Sequence, residues 1–307
     1  MATRKALYST PEDKTTLELE GFEERCERYK EKLKGYTIMD DIFMRNVFKK
    51  RECVEYILQV VMNRKELQLI DHILQKDYKN LQGRSAVLDC VAKDETNSQF
   101  NIEIQGENEG ASSKRARYHS GLLDMNILNP GESFEKLPET YIIFITRQDV
   151  LGYNRAICHI NRKVEEENEP FEDKAHIIYV NASKQEDTEL GRLMHDLHCK
   201  DAKDMHSDIL SSRVHELKET EEGVREMCRD MEEIYSEGME KGMERGIEKG
   251  IESGRLLGLE EGAEKKAKEM VQSFAKMGLS VQQIAEAAKI TVEVAQSWIA
   301  ESIMPAK

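Results

Sequence analysis

The sequence predicts an α/β protein, a central sheet flanked by helices, with an all-helical extension at its C-terminal end. Three observations predict it. Before Leu67 the apolar residues recur at helical spacing, and between Leu67 and Val180 short runs rich in β-branched and aromatic residues alternate with turn residues around one helical stretch. After Asn181 strand signals stop. Helices, strands, a helix and further strands, in that order, bury their apolar faces best as a sheet with helices packed on it.

Thr10-Pro11-Glu12-Asp13 places a hydroxyl cap, a proline at the first helical position and acids in the first turn, which predicts a helix from about Pro11 to Lys34 ended by Gly35. Ile42, Phe43, Val47, Phe48, Val54, Ile57, Leu58 and Val61 then predict a second helix from Asp41 to about Asn63. The expected strands are Leu67–Ile73, Ala86–Ala92, Gln99–Gln105, Thr140–Thr146, Ala156–Asn161 and His176–Val180. A helix over Ala111–Leu128 sits between the third and fourth, closed by Asn129-Pro130-Gly131.

In the extension, Gly238, Gly242, Gly246, Gly250, Gly254, Gly258 and Gly262 recur every four residues, mostly in units such as Gly242-Met243-Glu244-Arg245. Each glycine costs a helix about 0.8–1.0 kcal/mol relative to alanine, so the stretch is weak alone and gains by packing against a second copy. A homo-oligomer through this helix is the expected partner arrangement. Four residues turn about 400°, so the stripe drifts about 40° per repeat and forms no straight seam. Leu279-Ser280-Val281-Gln282-Gln283 opens a capped helix and Thr291 a second, a pair similar to a helix-turn-helix. The chain thus divides into an N-terminal helical segment (1–35), a sheet domain (36–182), a helical linker (183–235), the glycine-repeat helix (236–270) and a terminal module (271–307).

With 39% hydrophobic and 34% charged residues and a mean hydropathy of -0.64, the chain has enough apolar material for a core and a strongly charged surface. No apolar stretch reaches the roughly 18 residues of a membrane span, and Met1–Lys34 lacks the apolar centre of a secretory signal, so a cytoplasmic protein is expected. The net charge of -14 excludes attraction of nucleic acid by a global basic field. The cysteines (Cys26, Cys53, Cys90, Cys158, Cys199 and Cys228) lack close pairing and are expected as reduced thiols. His195, His198, Cys199 and His206 suggest zinc by type, but several of their spacings fall on different helix faces, and ordinary surface residues are the preferred reading.

The chemistry concentrates in two strands. Asp89 interrupts an otherwise apolar run and alternates onto the face opposite Leu88 and Cys90, while Glu103 and Gln105 share the face opposite Phe100, Ile102 and Ile104. The polar turn between the runs predicts an antiparallel hairpin that brings the two carboxylates together. Two readings stand on pattern alone. One is a solvated hairpin face; the other is a pair of hard oxygen ligands for Mg²⁺ that leaves room for water and phosphate.

Asp89 followed by Asn101-Ile102-Glu103-Ile104-Gln105 resembles the Asp…Ile-Glu-x-Gln form of the PD-(D/E)XK motif. With Tyr36–Met44, Val47-Phe48, Arg115-Ala116-Arg117-Tyr118-His119-Ser120 and the Gly-x-Glu-Lys repeat, the chain is similar to the recombination-promoting nuclease and transposase family. The resemblance implies a restriction-endonuclease-like mixed central sheet and a DNA endonuclease using Mg²⁺ or another divalent cation such as Mn²⁺. It makes Asp89 and Glu103 the metal ligands and Gln105 the group that orients water or phosphate. It also brings Arg115 and Tyr118 toward the site as phosphate-binding residues, against the alternative of a surface pair. The lysine usual in the wider superfamily is Gln105 here, and Lys93, on the Asp89 face, is a replacement for its charge. Asp40 and Asp41 are read as helix N-cap residues in preference to metal ligands. The rival function is a catalytically inactive, oligomeric DNA-binding or interaction protein.

Overall fold

The computed structural model describes residues 11–78, 86–106 and 110–303, so the expected Thr10 cap lies outside the described residues. The chain folds as two compact units, Met1–Glu233 and Ile234–Lys307.

The first unit begins with helices α1 (Pro11–Gly35), α2 (Asp41–Phe48) and α3 (Arg51–Val61). The single helix expected over Asp41–Asn63 is therefore two. On one continuous helix Phe48 and Cys53 would point about 140° apart, leaving one of them off the core. The extended backbone of Lys50 breaks the run and both side chains are buried. Strands β1 (Leu69–Tyr78), β2 (Ala86–Asp94), β3 (Gln99–Gln105), β4 (Thr140–Thr146), β5 (Ile157–Ile160) and β8 (Ala175–Asn181) form one six-stranded sheet, in the order β1-β2-β3-β4-β8-β5. β3, β4 and β8 pair in parallel and the remaining pairs are antiparallel, so the sheet is mixed as expected. The parallel step from β3 to β4 needs a crossover, which α4 (Ser113–Met125) provides. Two-residue strands β6 (Lys163–Val164) and β7 (Glu169–Pro170) form a small ribbon too short to leave a periodic signal in the sequence.

The sheet is covered on both faces. On one, Phe43, Phe48, Ile57 and Leu58 of α2 and α3 pack with Leu193 and Leu197 of α5 (Glu189–His198) and Leu210 and Val214 of α6 (Asp208–Glu219), against Phe100, Ile102, Ile143 and Val180. On the other, Ala116, Leu122 and Leu123 of α4 pack on Val91, Ile142, Phe144 and Tyr179. Asn101 and Glu103 are consequently buried, and the solvated-face reading of the hairpin is overturned by this second layer. Cys26 and Cys228 are joined as a disulfide between α1 and the first turns of α7 (Glu221–Lys276), which corrects the expectation of six thiols; residues 202 apart in sequence give no local pairing signal.

In the second unit α7 carries the glycine repeat. Apart from the helix's own backbone, no described residue approaches within 4 Å of where a Cβ would stand on Gly238 to Gly262. Met239, Met243, Ile247 and Ile251, each following a glycine, are exposed. At the far end Val271, Ile284, Ala285 and Ala295 form a small core between α7, α8 (Val281–Ala288) and α9 (Val292–Ile303), with Trp298 packed against it. The expected capping box is present: Ser280 accepts from the Gln283 backbone N–H and Gln283 accepts from that of Ser280. Among the described residues no helix is long and apolar enough to cross a membrane.

Candidate active site

The turn between β2 and β3 is set by Asp94, whose Oδ1 accepts the backbone N–H groups of Thr96 and Ser98 at 2.9 Å, and by Asn97, which takes the left-handed conformation with φ 70°. From there the strands pair antiparallel from Lys93 with Gln99 to Cys90 with Ile102. One residue further on, the Asp89 backbone N–H donates to Glu103 Oε1 at 3.3 Å, and the two predicted acids meet.

Glu103 lies opposite Phe144 in the β3–β4 register, with no solvent exposure of its side chain, under α4. Asn101 Nδ2, two residues back on the same face, donates to Oε1 at 3.0 Å. From α4, Arg115 Nη2 donates to Oε2 at 3.4 Å, and Arg115 Nε donates to His119 Nε2 at 3.3 Å. His119 thus uses Nε2 as an acceptor, and a neutral ring then carries its proton on Nδ1. That atom stands 3.5 Å from Glu103 Oε1, an ion-pair distance without hydrogen-bond geometry. A buried carboxylate is held by an amide, a backbone N–H and a guanidinium, as burial of charge requires.

Asp89 is held differently. Burial first, then the charges of Glu103 and Asp41, push its carboxyl up to about 7, against the opposing effects of Arg115 and of a 3.3 Å hydrogen bond from Gln75 Nε2. Gln75 makes that bond from a left-handed conformation, φ 50°, in the middle of β1 between the Leu74–Cys90 and Lys76–Leu88 pairs. Such a backbone costs about 1–3 kcal/mol and clusters at functional positions. A divalent cation would neutralise the charge that the two neighbouring acids place together here. The donor set fits one: two carboxylates, and the buried Oδ1 of Asn101, which has no hydrogen-bond partner among the described residues.

The remaining predicted residues fall as follows. Gln105 ends β3 opposite Thr146, and its Oε1 rests where a Cβ on Gly110 would overlap it. Lys93 pairs with Gln99 at the turn end of the hairpin, roughly 13 Å of strand from Asp89 at 3.3 Å per residue. Arg115 points at Glu103 and donates to His119, one turn further along α4, and Tyr118 is 39% exposed. Asp40 is the N-cap residue of α2 but makes no side-chain cap bond to it; its Oδ2 accepts from the backbone N–H and hydroxyl of Thr37. Asp41 pairs with Arg45 and adds its field at Asp89. Gln75 leaves no signal in the sequence, whereas Asn101 falls on the Glu103 face by alternation and His119 lies within the Arg115–Ser120 match.

The family described as PD-(D/E)XK nuclease family transposase matches residues 50–246. No curated protein and no solved structure matches the chain. The family match covers more than half of the chain and encloses both carboxylates, their hairpin and the α4 residues beside them. The protein belongs to the PD-(D/E)XK nuclease family of transposases.

Proposed function

We propose that the protein is a divalent-metal-dependent endodeoxyribonuclease whose cutting serves recombination or transposition. The observation that carries this reading is the meeting of Asp89 and Glu103 at the end of the β2–β3 pairing, one carboxyl raised to about 7 and the other fully enclosed. Asp89 and Glu103 would hold Mg²⁺ or Mn²⁺, with Asn101 Oδ1 beside them. The cation when bound supplies acidification of water and neutralisation of charge on the leaving oxygen.

The chain's own groups do the positioning. Asn101 and Arg115 fix the two oxygens of Glu103, and Gln75 fixes one oxygen of Asp89. Arg115 is 39% exposed, so its guanidinium has one side on Glu103 and another open to a phosphate oxygen. Gln105 is a neutral amide that orients water or phosphate through hydrogen bonds and takes no proton. DNA approaches a chain of net charge -14, so contact with phosphate is local, through Arg115 and the cation, rather than through a broad field. Self-association through the glycine-repeat helix belongs to the same proposal, supported by the exposed apolar residues at every fourth position of Met239–Ile251.

The test is incubation of the purified chain with supercoiled plasmid in Mg²⁺, with and without chelator. Nicking that requires the metal supports the reading. DNA binding without nicking in Mg²⁺ or Mn²⁺ would replace it with the inactive, DNA-binding alternative.

A further inference from the structure

A second cluster of chemically active side chains lies at the end of α5, on elements that contribute nothing to the carboxylate pair. His195 and Cys199 are one helical turn apart and share a face, and Asp196 turns inward beside them. Sγ of Cys199 stands 3.5 Å from His195 Nδ1, and Asp196 Oδ1 stands 3.3 Å from the same nitrogen. One ligand atom from each of the three residues lies within 4.8 Å of the others. His206, from the segment leading into α6, packs its ring on that of His195 with centroids 4.7 Å apart. By spacing alone His195 and Cys199 share a face, but several spacings to His198 and His206 fall on other faces. The turn through 199–207 returns the chain to the same point, which spacing along one helix does not reveal.

Without a cation the Cys199 thiol donates to the Asp204 carbonyl oxygen at 3.6 Å, and its sulfur lies 3.5 and 3.8 Å from Nδ1 and Nε2 of His195. An imidazole nitrogen offers one in-plane position: protonated, it donates to the carboxylate and cannot accept the thiol; bare, it accepts the thiol and faces carboxylate lone pairs. A cation placed among the three satisfies sulfur, nitrogen and oxygen together. The spacing suits it. A tetrahedral zinc ion, with Zn–S about 2.3 Å and Zn–N or Zn–O about 2.0–2.2 Å, separates sulfur from nitrogen by about 3.5 Å and nitrogen from oxygen by about 3.4 Å. Asp196 is also fixed for the task, because its two oxygens accept the backbone N–H groups of His206 and Ser207 at 2.8 Å. Thiolate with imidazole is a borderline-soft donor set that selects zinc over the hard Mg²⁺ suited to Asp89 and Glu103.

We propose that His195, Asp196 and Cys199 form a zinc site at the end of α5. The site is independent of the nuclease reading. Its test uses the full-length chain, freed of metal and titrated with Co²⁺ and then Zn²⁺, in the wild type and in Glu103→Gln, which removes a ligand of the other site. The expected result is one tightly held zinc per chain in both, and a thiolate-to-cobalt charge-transfer absorption that zinc abolishes. Cys199→Ser should lose that absorption and the bound zinc. Where Cys199→Ser proves unfolded by circular dichroism, His195→Asn gives the same answer through a loss of affinity of at least 100-fold. Cobalt taken up without sulfur absorption, absorption that persists in Cys199→Ser, or zinc affinity unchanged in His195→Asn would overturn the site.

Discussion

Arg115 Nη2 lies 3.4 Å from Glu103 Oε2, so the fully enclosed carboxylate of β3 depends on a guanidinium from the crossover helix. Arg115→Ala should lower the stability of the metal-free protein by about 1 kcal/mol, a modest figure because Arg115 is 39% exposed and solvent screens the pair. Saturating Mg²⁺ should recover most of that loss, since the cation supplies positive charge at the same carboxylate, while nicking stays about 10-fold or more below wild type for want of the phosphate contact. Thermal melts with and without metal, beside a plasmid assay, check both halves. A variant that melts and cuts like the wild type would remove Arg115 from the site.

Asp89 gives a pH signature. Its folded carboxyl titrates near 7 against an ordinary value of 3.8, so between those values the folded state holds a proton that the unfolded state has lost. Stability of the metal-free protein therefore falls as pH rises from about 4 to about 7. Asp89→Asn removes the ionisation, and should be more stable than wild type by on the order of a few kcal/mol above pH 7, with the difference vanishing near pH 4. Melts across that range in chelator measure it. An Asp89→Asn protein no more stable than wild type at pH 8 contradicts the assignment.

Gln105 and Gly110 form a unit, because a Cβ at position 110 would overlap Gln105 Oε1. Gly110→Ala should displace the amide and reduce nicking about as much as Gln105→Ala, both less than loss of a metal-binding carboxylate. The double variant should be no worse than either single one, as expected for residues acting through the same contact. Additive losses in kinetics under saturating metal would separate the two.

The repeat glycines Gly238 to Gly262 lie in open space, so Gly246→Ala and Gly250→Ala should each strengthen the helix by about 0.8–1.0 kcal/mol, read as raised helical ellipticity and melting temperature. A chain ending at Ser236 should lose self-association while keeping its metal-binding hairpin. Light scattering decides this: an unchanged mass per particle after truncation rules out the helix as the oligomer contact.

Much of the fold was legible because periodicity reports burial. Gln99–Gln105 and Thr140–Thr146 were bounded as observed, and Asp89 stood out as an acid inside an apolar run. The break at Lys49 and Lys50 was hidden because the apolar spacing runs on across it, and only the need to bury both Phe48 and Cys53 reveals it. At the site, the two carboxylates were readable from alternation, but their surroundings were not. Gln75 lay beyond the strand end expected at Ile73. His119 was masked by the more conspicuous Tyr118, and the field of Asp41 reaches Asp89 from a helix distant in sequence. The Cys26–Cys228 link and the approach of His206 to His195 depend on chain return through loops, which composition and period do not encode.

The assignment of Asp89 and Glu103 as the metal-holding pair is tested most directly by plasmid nicking with Glu103→Gln, which keeps the shape of the side chain and removes its charge. With circular dichroism matching the wild type and Mg²⁺ in excess, the rate should fall by at least about 100-fold, a barrier increase of about 2.7 kcal/mol. A Glu103→Gln protein that nicks at the wild-type rate under those conditions would show that the enclosed carboxylate holds no catalytic metal.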